Sequence, residues 1–532
     1  MDYQDWIAPE YYNLTSEMDR HDPNKLALKW LNAAGDYEEI TYGKLIQQAN
    51  QLANGMRELG LRQGDRVLVM VPRRITAYVI YLACLKQGLA IIPSSEMLRA
   101  KDLSYRLQHS EARAVIACAN GITEVDQINE DLPNLAYRIA AFETRDSAPS
   151  HWQILDELIE DKPLSFETVR THRDDMAILA YTSGTTGNPK GVVHRHGWGY
   201  AHLRITNPWL DIHQDDLVWA TAAPGWQKWI WSPFVSVLGS GATGFVYDGG
   251  FQPNRYLELI QQYQIEVLCC TPTEYRLMAK SMNLSNFNLT SLRSAVSAGE
   301  PLNQEVIHSF QQAHQITIRD GYGQTESTLL IGALKDAPFR LGSMGRSISP
   351  GLVEVIDAEG NVLPPGEVGD IAVHRNMPAL FETYYKDPQK KEANIHGDYF
   401  ITGDRASKDA EGYFWFEGRG DDIIISSGYT IGPFEVEDAL MKHPAVKECA
   451  AVASPDEIRG HVVKAFIVLK EHIDGSDELV RELQNHVKHL TAPYKYPRKI
   501  EFVDDLPKTS SGKIRRIELR EQEKRNADNG NI

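Results

Sequence analysis

Long uncharged apolar runs, a leader segment and an excess of positive charge are all missing from this 532-residue sequence. The most apolar stretch, residues 77–93, is interrupted by Lys86 and Gln87, so no membrane-spanning helix is predicted. The first residues, MDYQDWIAPEYYN, lack the basic and apolar regions of a signal peptide. The net charge of −17 argues against nonspecific nucleic-acid binding, which needs a basic surface.

The cysteines lack the spacing of a metal site or a redox pair. There are five of them, Cys84, Cys118, Cys269, Cys270 and Cys449, and no two have CxxC spacing. This pattern predicts free thiols in a reducing compartment and no structural zinc. Together with the absent leader, it predicts a cytoplasmic protein.

A glycine- and hydroxyl-rich stretch, YTSGTTGNPKGVVH (181–194), follows the apolar run 176–181, which is typical of a buried strand. Its glycines allow backbone N–H groups to point inward, and its hydroxyls and Lys190 add donors and a positive charge. Such a loop is suited to a polyphosphate. Pro189 before Lys190 and Gly191 after it distinguish it from the Walker loop. The alternative is a flexible surface loop.

Apolar runs alternate with helical periodicity over the first 340 residues. Thr41 is a plausible N-cap for a helix that ends at Gly60, and further helices are predicted over 75–86 and 255–263. Predicted strands lie at 67–71, 89–93, 114–118, 217–222, 242–247 and 266–270. Continuous apolar strands between helices predict a doubly wound α/β body, in which ligands bind beyond the carboxyl ends of the strands.

The pattern changes after about residue 341. Short strands with Gly/Pro turns predict a small β-barrel or antiparallel subdomain, and from about residue 423 an α+β pattern begins. A chain of this length exceeds one core. We therefore predict a large N-terminal domain, 1–420, and a smaller C-terminal domain, 421–532.

Five motifs carry a resemblance to a known family. In order they are YTSGTTGNPKG, DGYGQTES, YFITGDRA, GRGDDIIISSGYTIGPFEVE and PKTSSGKIRR. Together they resemble the adenylate-forming enzymes of the acyl-CoA synthetase superfamily, and most closely the short- and medium-chain acyl-CoA synthetases. The resemblance implies a ligase that joins an acid to coenzyme A with ATP and Mg²⁺. It would form acyl-AMP and pyrophosphate, then acyl-CoA and AMP, from a short- or medium-chain or branched fatty acid.

The resemblance assigns an ATP site. It gives Glu326 to Mg²⁺, the ribose hydroxyls to Asp404 and Arg419, and the substrate carboxylate and α-phosphate to Lys513. The implied catalytic residues are Lys513, Thr325 and Glu326. The implied ATP-binding residues are Thr182, Ser183, Gly184, Thr185, Thr186, Gly187, Lys190, Glu300, Asp320, Gly321, Tyr322, Gly323, Gln324, Thr325, Asp404, Arg419 and Lys513.

Each of these assignments has a structural alternative. DGYGQTES is also typical of a polar turn, and Glu300 of a carboxylate at a helix N-terminus. Asp404 and Arg419 are consistent with a surface ion pair, and the basic run around Lys513 with a solvated face.

A second set is implied for coenzyme A. In this superfamily the C-terminal domain rotates about a hinge, which Asp421 matches, and opens a thiol channel. The residues implied to face coenzyme A are Ser427, Gly428, Tyr429, Arg459, Pro497, Arg498 and Lys499. Scattered surface charge is the alternative for the basic ones. Thr430 stands where the family usually has an arginine, which puts one contact of the thioester-forming state in doubt.

The acyl pocket has the weakest signal. The resemblance places Trp226 in its wall and Gly323 at its floor. The segment APGWQKWIWSPF (223–234) is rich in aromatic residues, and core packing explains Trp229 and Trp231 equally well. Lys228 either meets a polar group of the acid or reaches solvent.

Other functions stay open. An adenylating enzyme can load a carrier-protein phosphopantetheine, a nucleotide-binding protein can have lost its chemistry, and a luciferase-type oxidation is formally possible. The chain has no carrier domain, which favours a carboxylic acid, ATP and coenzyme A as its partners. We expect no nucleic acid, no membrane span, and a monomer or homodimer.

Overall fold

The computed structural model describes residues 3–182, 189–281, 284–300, 302–420, 422–426, 429–456, 460–491, 495–508 and 513–528. They fall into two compact units. The first unit comprises the described parts of 1–299, 310–337 and 376–394. The second comprises those of 300–309, 338–375 and 395–532.

The predicted helices are present, together with others that the sequence analysis did not assign. In chain order the α-helices are α1 (Ser16–Asp19), α2 (Tyr42–Leu59), α3 (Ile75–Lys86), α4 (Ala100–Ser110), α5 (Ala119–Asp126), α6 (Leu155–Ile159), α7 (His196–Leu210), α8 (Gln227–Trp229), α9 (Pro253–Tyr263), α10 (Pro272–Ala279), α11 (Gln304–His314), α12 (Pro388–Glu392), α13 (Pro433–Met441), α14 (Asp477–Leu490) and α15 (Arg516–Asp528). Two 3₁₀-helices cover Tyr3–Trp6 and Leu284–Asn286, and a π-helix covers Ile230–Leu238.

Among the described residues, the longest strands lie in the second unit. In chain order they are β1 (Leu26–Asn32), β2 (Tyr37–Thr41), β3 (Arg66–Met70), β4 (Ala90–Pro93), β5 (Ala114–Ala117), β6 (Tyr137–Ala140), β7 (Gln153–Ile154), β8 (Met176–Thr182), β9 (Lys190–Arg195), β10 (Leu217–Ala220), β11 (Thr243–Asp248), β12 (Val267–Cys270), β13 (Ser294–Ala298), β14 (Ile318–Gly323), β15 (Leu329–Gly332), β16 (Gly345–Ser347), β17 (Val353–Ile356), β18 (Val368–His374), β19 (Thr383–Tyr384), β20 (Ile395–His396), β21 (Tyr399–Lys408), β22 (Tyr413–Arg419), β23 (Ile424–Ser426), β24 (Tyr429–Ile431), β25 (Val446–Asp456), β26 (Gly460–Leu469) and β27 (Lys499–Phe502).

Two mainly parallel sheets form the first unit. One has the order β15-β14-β13-β12-β10-β11-β1-β2, and the other β19-β9-β8-β4-β3-β5-β6-β7. In the first sheet the strands from β10 to β14 pair in parallel. In the second, β4 pairs in parallel with β3 on one side and with β8 on the other. Helix α3 is buried along nearly all of its length, so its continuous apolar sequence fits a position inside the body. The doubly wound α/β prediction is confirmed.

Local sequence signals set the predicted boundaries. The Thr41 hydroxyl accepts a hydrogen bond from the backbone N–H of Lys44 at 3.3 Å and so caps α2. Gly60 ends the helix in the left-handed conformation, with φ of 116°, which favours glycine. The predicted helix 75–86 matches α3, and that over 255–263 matches α9 with two more residues at its start.

Antiparallel strands and three further helices dominate the second unit. One set has the order β17-β18-β21-β22-β16, with β20 beside β21, which confirms the antiparallel texture expected after residue 341. Towards the C-terminus, β23 pairs with β24, and β25-β26-β27 form a separate sheet. Leu440, Val463 and Leu483 belong to the buried cluster that packs α13 and α14 on this sheet. The boundary expected at residues 420/421 stays a prediction.

Candidate functional site

The predicted phosphate loop begins and ends in a β-hairpin of the first unit. Strands β8 and β9 are antiparallel, and Thr182 is the register partner of Lys190. The hairpin therefore fixes both ends of the loop. The five predicted ATP-binding residues within it, Ser183, Gly184, Thr185, Thr186 and Gly187, lie outside the described residues.

Tyr384 brings the predicted phosphate-binding lysine and the predicted metal ligand together. It lies on β19, which pairs with β9. The Lys190 Nζ lies 5.3 Å from the centroid of the Tyr384 ring. The Tyr384 hydroxyl donates a hydrogen bond to Glu326 Oε1 at 3.0 Å. Burial and then the adjacent Glu326 raise the pKa of Tyr384, so the tyrosine stays a neutral donor.

The turn that follows β14 is held by the backbone as well as by side chains. The Phe381 N–H donates to the Glu326 carbonyl oxygen at 2.8 Å, and the Ser327 N–H donates to the Gln324 carbonyl at 3.0 Å. A Cβ built on Gly323 would lie 2.2 Å from the Thr328 carbonyl oxygen. Only glycine fits there without a shift of the backbone. The Thr328 carbonyl oxygen therefore lies in the space that a side chain at position 323 would occupy.

A row of aromatic donors, His194, Trp198 and His202, runs along the same turn. His194 Nε2 donates to the Thr325 carbonyl oxygen at 2.6 Å, and Trp198 Nε1 donates to the Ser327 carbonyl oxygen at 2.9 Å. His202 donates from Nε2 to the Trp231 carbonyl oxygen at 3.1 Å.

The three rings pack against one another. The centroids of His194 and Trp198 are 4.8 Å apart, and those of Trp198 and His202 are 4.7 Å apart. On the far side His202 Nδ1 lies 2.6 Å from the Thr328 hydroxyl. Because Nε2 carries the proton, Nδ1 accepts from that hydroxyl. We call His194, Trp198 and His202 the aromatic row.

Burial keeps the histidines of the row neutral. It lowers the pKa of His194 to about 4 and that of His202 to about 3. Both rings are therefore neutral at physiological pH, where His194 donates to the Thr325 carbonyl oxygen and His202 accepts from the Thr328 hydroxyl. Motif reasoning missed the row, although HRHGWGYAH places His194, Trp198 and His202 four residues apart. Tyr384 was also missed, since its segment carries no motif.

Asp320 on β14 has a carboxyl group whose pKa is shifted. Its Oδ1 accepts a hydrogen bond from the Gly321 N–H at 2.9 Å, and its carbonyl oxygen accepts one from Trp209 Nε1 at 3.0 Å. Burial raises the pKa of Asp320 to about 7, although the Gly321 hydrogen bond and the charge of Lys228 act to lower it. The group is therefore poised near neutral pH to donate or to accept a proton.

The tryptophans of the aromatic segment after β10 differ in burial. Trp229 is buried against Tyr81 and Phe234, with ring centroids 4.7 and 5.5 Å away, so it belongs to the core. Trp231 lies beside Gly323, where a built Cβ would be 3.1 Å from its Cη2 atom. Trp226 is partly buried.

Lys228 is held by the backbone of β13. Its ammonium donates a hydrogen bond to the Ala298 carbonyl oxygen. Neither alternative for this residue, solvent or a polar group of the acid, describes this contact.

The predicted ribose pair lies in the second unit. Asp404 on β21 and Arg419 on β22 are register partners in an antiparallel pair, and the Asp404 N–H donates to the Thr402 hydroxyl at 3.2 Å. The Asp404 side chain is buried, which distinguishes it from an ordinary surface carboxylate. Glu300, which follows β13 in sequence, is partly buried.

Lys513 is exposed and lies next to an antiparallel bridge. Lys508 and Ile514 form an antiparallel bridge, and the Arg515 N–H donates to the Pro507 carbonyl oxygen at 2.8 Å. The bridge holds the two flanks of the predicted catalytic loop together.

The predicted coenzyme A residues are only partly covered. Asp421, Ser427, Gly428 and Arg459 lie outside the described residues. Tyr429 begins β24 and pairs with Ser426 of β23.

The other three coenzyme A candidates form one run. Pro497 is buried and Arg498 exposed, with Arg498 Nη1 donating to the Tyr496 hydroxyl at 2.8 Å. Lys499 turns inward, and its Nζ donates to the Ser454 hydroxyl and to the Pro455 carbonyl oxygen, both at 3.2 Å.

Within the first unit, therefore, the structure gathers Lys190, Thr325 and Glu326 around Tyr384 and the aromatic row. Within the second, it pairs Asp404 with Arg419. Among the described residues, no helix combines the length and apolar character needed to cross a bilayer.

Comparison with known proteins gives matches along almost the whole chain. The AMP-binding enzyme family matches residues 16–385, and the AMP-binding enzyme C-terminal domain matches residues 435–513. The uncharacterized acyl-CoA ligase YtcI of Bacillus subtilis (strain 168) is 57% identical over 523 residues, covering 98% of each chain. The mitochondrial acyl-coenzyme A synthetase ACSM5 of Mus musculus is 40% identical over 534 residues, covering 97% of this chain and 91% of that one.

A solved structure agrees with these relatives. The crystal structure of the anthranilate CoA ligase AuaEII in complex with anthranoyl-AMP superposes with a TM-score of 0.90 at 29% identity, and covers 99% of this chain and 100% of that one. The chain thus belongs to the AMP-binding enzyme family and, within it, to the AMP-forming acyl-CoA synthetases.

Proposed function

We propose that this acyl-CoA synthetase acts on a short- or medium-chain or branched fatty acid, and that the residues above divide its two half-reactions between them. In the first, a carboxylate oxygen of the acid attacks the α-phosphorus of ATP, giving acyl-AMP and pyrophosphate. In the second, the thiol of coenzyme A attacks the acyl carbon and AMP leaves. The observation that carries the proposal is that Lys190 lies near the Tyr384 ring while Glu326 accepts a hydrogen bond from the Tyr384 hydroxyl.

Lys190 and Glu326 suit the pyrophosphate end of ATP. A lysine cation offsets the charge that grows on the leaving pyrophosphate. Glu326 supplies one carboxylate, and Mg²⁺ is commonly bound by one or two carboxylates together with substrate phosphates. When bound, the ion would supply positive charge that offsets the charge of the phosphates. Tyr384 holds the Glu326 carboxylate in one orientation, and the aromatic row fixes the backbone that carries it.

The other ATP contacts follow from residue chemistry and from the family resemblance. We assign the β- and γ-phosphates to Thr182–Lys190, the α-phosphate to Thr325, and the adenine and its surroundings to Glu300 and 320–324. A carboxylate accepts two hydroxyl hydrogens at once, so Asp404 suits the ribose diol, with Arg419 as its partner. Lys513 bridges the substrate carboxylate and the α-phosphate.

The second half-reaction needs Lys513 withdrawn and coenzyme A admitted. We propose residues 1–420 and 421–532 as the two domains that move, with the hinge at Asp421. Ser427–Tyr429, Arg459 and 497–499 are the proposed coenzyme A contacts. The exposed Arg498 supports a phosphate contact, whereas the inward contacts of Lys499 favour a supporting role for that residue.

Setting and assembly are proposals of the same kind. The five cysteines are buried free thiols, which supports a reducing, cytoplasmic setting. We propose a monomer or homodimer.

A panel of C2–C10 linear, branched and aromatic acids tests the substrate. Each is incubated with ATP, Mg²⁺ and coenzyme A, and AMP and acyl-CoA are measured. The highest kcat/KM is expected for a short- or medium-chain or branched aliphatic acid. A clear preference for an aromatic acid, or no product from any acid, would contradict the proposed substrate class.

The residue roles are tested by separating the half-reactions. Lys513→Ala is expected to abolish acyl-AMP formation, followed as ATP–pyrophosphate exchange, but to retain transfer from supplied acyl-AMP to coenzyme A. Gly428→Leu is expected to do the reverse. Equal loss of both half-reactions in Lys513→Ala would contradict the two-state assignment.

A further inference from the structure

The segment that carries Lys513 is tied to the second unit on both flanks. On the N-terminal flank, Lys508 Nζ lies 2.8 Å from Glu448 Oε2 on β25. On the C-terminal flank, Arg516 begins α15 and reaches Glu437 on α13. The bridge between Lys508 and Ile514 joins the flanks themselves. The residues on both sides of Lys513 are therefore held by contacts within the second unit.

The contact between Arg516 and Glu437 is bidentate. Arg516 Nε donates to Glu437 Oε1 at 3.0 Å, and Nη2 donates to Oε2 at 2.6 Å. Glu437 Oε1 also accepts the backbone N–H of Ala451 at 2.8 Å. One carboxylate thus joins α13, β25 and α15, and two parallel hydrogen bonds fix both the distance and the angle of the guanidinium.

The pair lies away from solvent. The Glu437 side chain is 8% exposed and that of Arg516 is 23% exposed. Burial by itself would lower the pKa of Arg516, but the charge and hydrogen bonds of Glu437 raise it above its ordinary value. The Arg516 guanidinium therefore stays charged. A buried pair of this kind costs much when one partner is removed, because the other charge is left uncompensated.

The neighbouring Arg515 supplies a natural comparison. It carries the same charge one residue closer to Lys513, its side chain is 48% exposed, and it pairs with Glu518, which lies near it in sequence. An exposed pair between near neighbours in sequence contributes little to position. Arg515 and Arg516 therefore differ in burial and in what they hold, and not in charge.

Helix α15 has two more attachment points beyond Arg516. Arg520 pairs with Asp422, and the fully buried Glu523 lies 2.7 Å from both Lys464 Nζ and the Ser454 hydroxyl. Residues 516, 520 and 523 fall on one face of the helix. Loss of Arg516 therefore leaves the helix attached and loosens only the end next to Lys513.

We propose that the buried ion pair between Arg516 and Glu437 is a positioning device for Lys513 in acyl-AMP formation. Arg516 is not a catalytic residue, because its guanidinium is directed at Glu437. It fixes the backbone three residues after Lys513, so that a long flexible side chain starts from a defined point. A displacement of about 1 Å at a catalytic group can lower the rate about 100-fold.

The inference rests on the proposed role of Lys513, so its test compares five variants. They are Arg516→Gln, Glu437→Gln, the double variant of these two, the control Arg515→Gln and the reference Lys513→Ala. Each is measured in ATP–pyrophosphate exchange with the best acid of the panel, in transfer from synthetic acyl-AMP to coenzyme A, and in thermal unfolding.

We expect Arg516→Gln and Glu437→Gln to slow exchange about 10- to 100-fold. Transfer should stay within about threefold of the unaltered enzyme, since the second half-reaction needs Lys513 withdrawn. Arg515→Gln should leave both rates nearly unchanged. The double variant Arg516→Gln/Glu437→Gln should be little slower than either single variant, because the two residues act as one unit.

Three results would overturn the inference. One is exchange by Arg516→Gln equal to that of Arg515→Gln. Another is an equal fall of both half-reactions, which indicates a purely structural role. The third is a double variant whose loss is the product of the single losses. If Arg516→Gln does not fold, Arg516→Lys keeps the charge without the bidentate geometry and must show the same selective loss.

The reference variant Lys513→Ala distinguishes a failure of the proposed role of Lys513 from a failure of the proposed role of Arg516. If Lys513→Ala retains exchange, the proposed role of Lys513 is wrong. If it loses exchange while Arg516→Gln retains it, Lys513 is catalytic and only the positioning role of Arg516 fails.

Discussion

The turn at 323–328 in the first unit and the Lys513 segment in the second are held by opposite kinds of chemistry. The first is held by close backbone contact and by the neutral aromatic row. The second is held by ion pairs, among them the buried one between Arg516 and Glu437. A part that must stay still tolerates dense neutral packing, whereas a part proposed to move as one body benefits from strong links inside that body.

The two kinds of support should respond differently to perturbation. Neutral histidines fail when acid charges them, and close backbone contacts fail when volume is added. Ion pairs fail when one partner is removed. The predictions below test the first region, and Arg516→Gln is the corresponding test of the second.

The largest effect is expected for Gly323→Ala. The added Cβ would lie 2.2 Å from the Thr328 carbonyl oxygen, so the turn must move. We expect more than 100-fold loss of acyl-AMP formation and a fall of about 1–3 kcal/mol in the free energy of unfolding. Gly250→Ala is the control, because a Cβ built there meets no atom within 4 Å. Similar behaviour of the two variants would show that the close contact is unimportant.

Glu326→Gln is expected to lower exchange about 100-fold with little change in stability, as loss of one electrostatic contact in a transition state commonly does. The effect should include weaker dependence on Mg²⁺ concentration, measured as the ion concentration that gives half-maximal exchange. Glu382→Gln is the matched control, since Glu382 is an exposed carboxylate near Tyr384 in sequence and pairs with Arg195. An unchanged Mg²⁺ dependence in Glu326→Gln would contradict the metal assignment.

His202→Gln should remove part of the loss of stability in acid. The pKa of His202 is about 3 in the folded chain, below the ordinary value of 6.5, so between these values the unfolded chain binds a proton that the folded chain does not. Stability therefore falls as pH falls, by about 2 kcal/mol from pH 7 to pH 5 for this group. Urea unfolding at both pH values should show a smaller change in the variant.

The exposed His308 supplies the control for that experiment. His308→Gln should keep the pH dependence of the unaltered chain. If His202→Gln kept it too, the aromatic row would not be the source of the acid sensitivity.

Asp320→Asn should act in the opposite direction and somewhat less strongly, because its side chain is partly exposed. Its folded pKa of about 7 lies above the ordinary value of 3.8, so the folded chain binds more protons between these values. Its contribution therefore destabilises the fold as pH rises, by up to about 2 kcal/mol from pH 5 to pH 7.

The measurement is again urea unfolding at pH 5 and pH 7. The stability of Asp320→Asn should rise more steeply with pH than that of the unaltered chain. A slope equal to or below that of the unaltered chain would show that the carboxyl is not held protonated by burial.

Much of this protein is written in local sequence. Apolar runs placed the parallel strands, Thr41 and Gly60 bounded α2, and the five motifs identified the family, because each depends on residues that are near neighbours in the chain. The same motifs named Lys190, Glu326, Asp404 and Lys513 as candidates. Strand positions, helix ends and candidate residues can be predicted in this way because each depends on local backbone geometry or on the chemistry of a single residue type.

Only the tertiary structure showed what holds those candidates. Tyr384 contacts both Lys190 and Glu326, although it lies nearly two hundred residues after Lys190 in sequence. No local pattern marks it. The aromatic row is visible as a spacing, but its partners lie far along the chain in the turn after β14. Arg515 and Arg516 look alike in sequence, yet burial against Glu437 separates them. Positions, burial and the pKa values that follow from them depend on contacts between distant residues, which folding alone brings together.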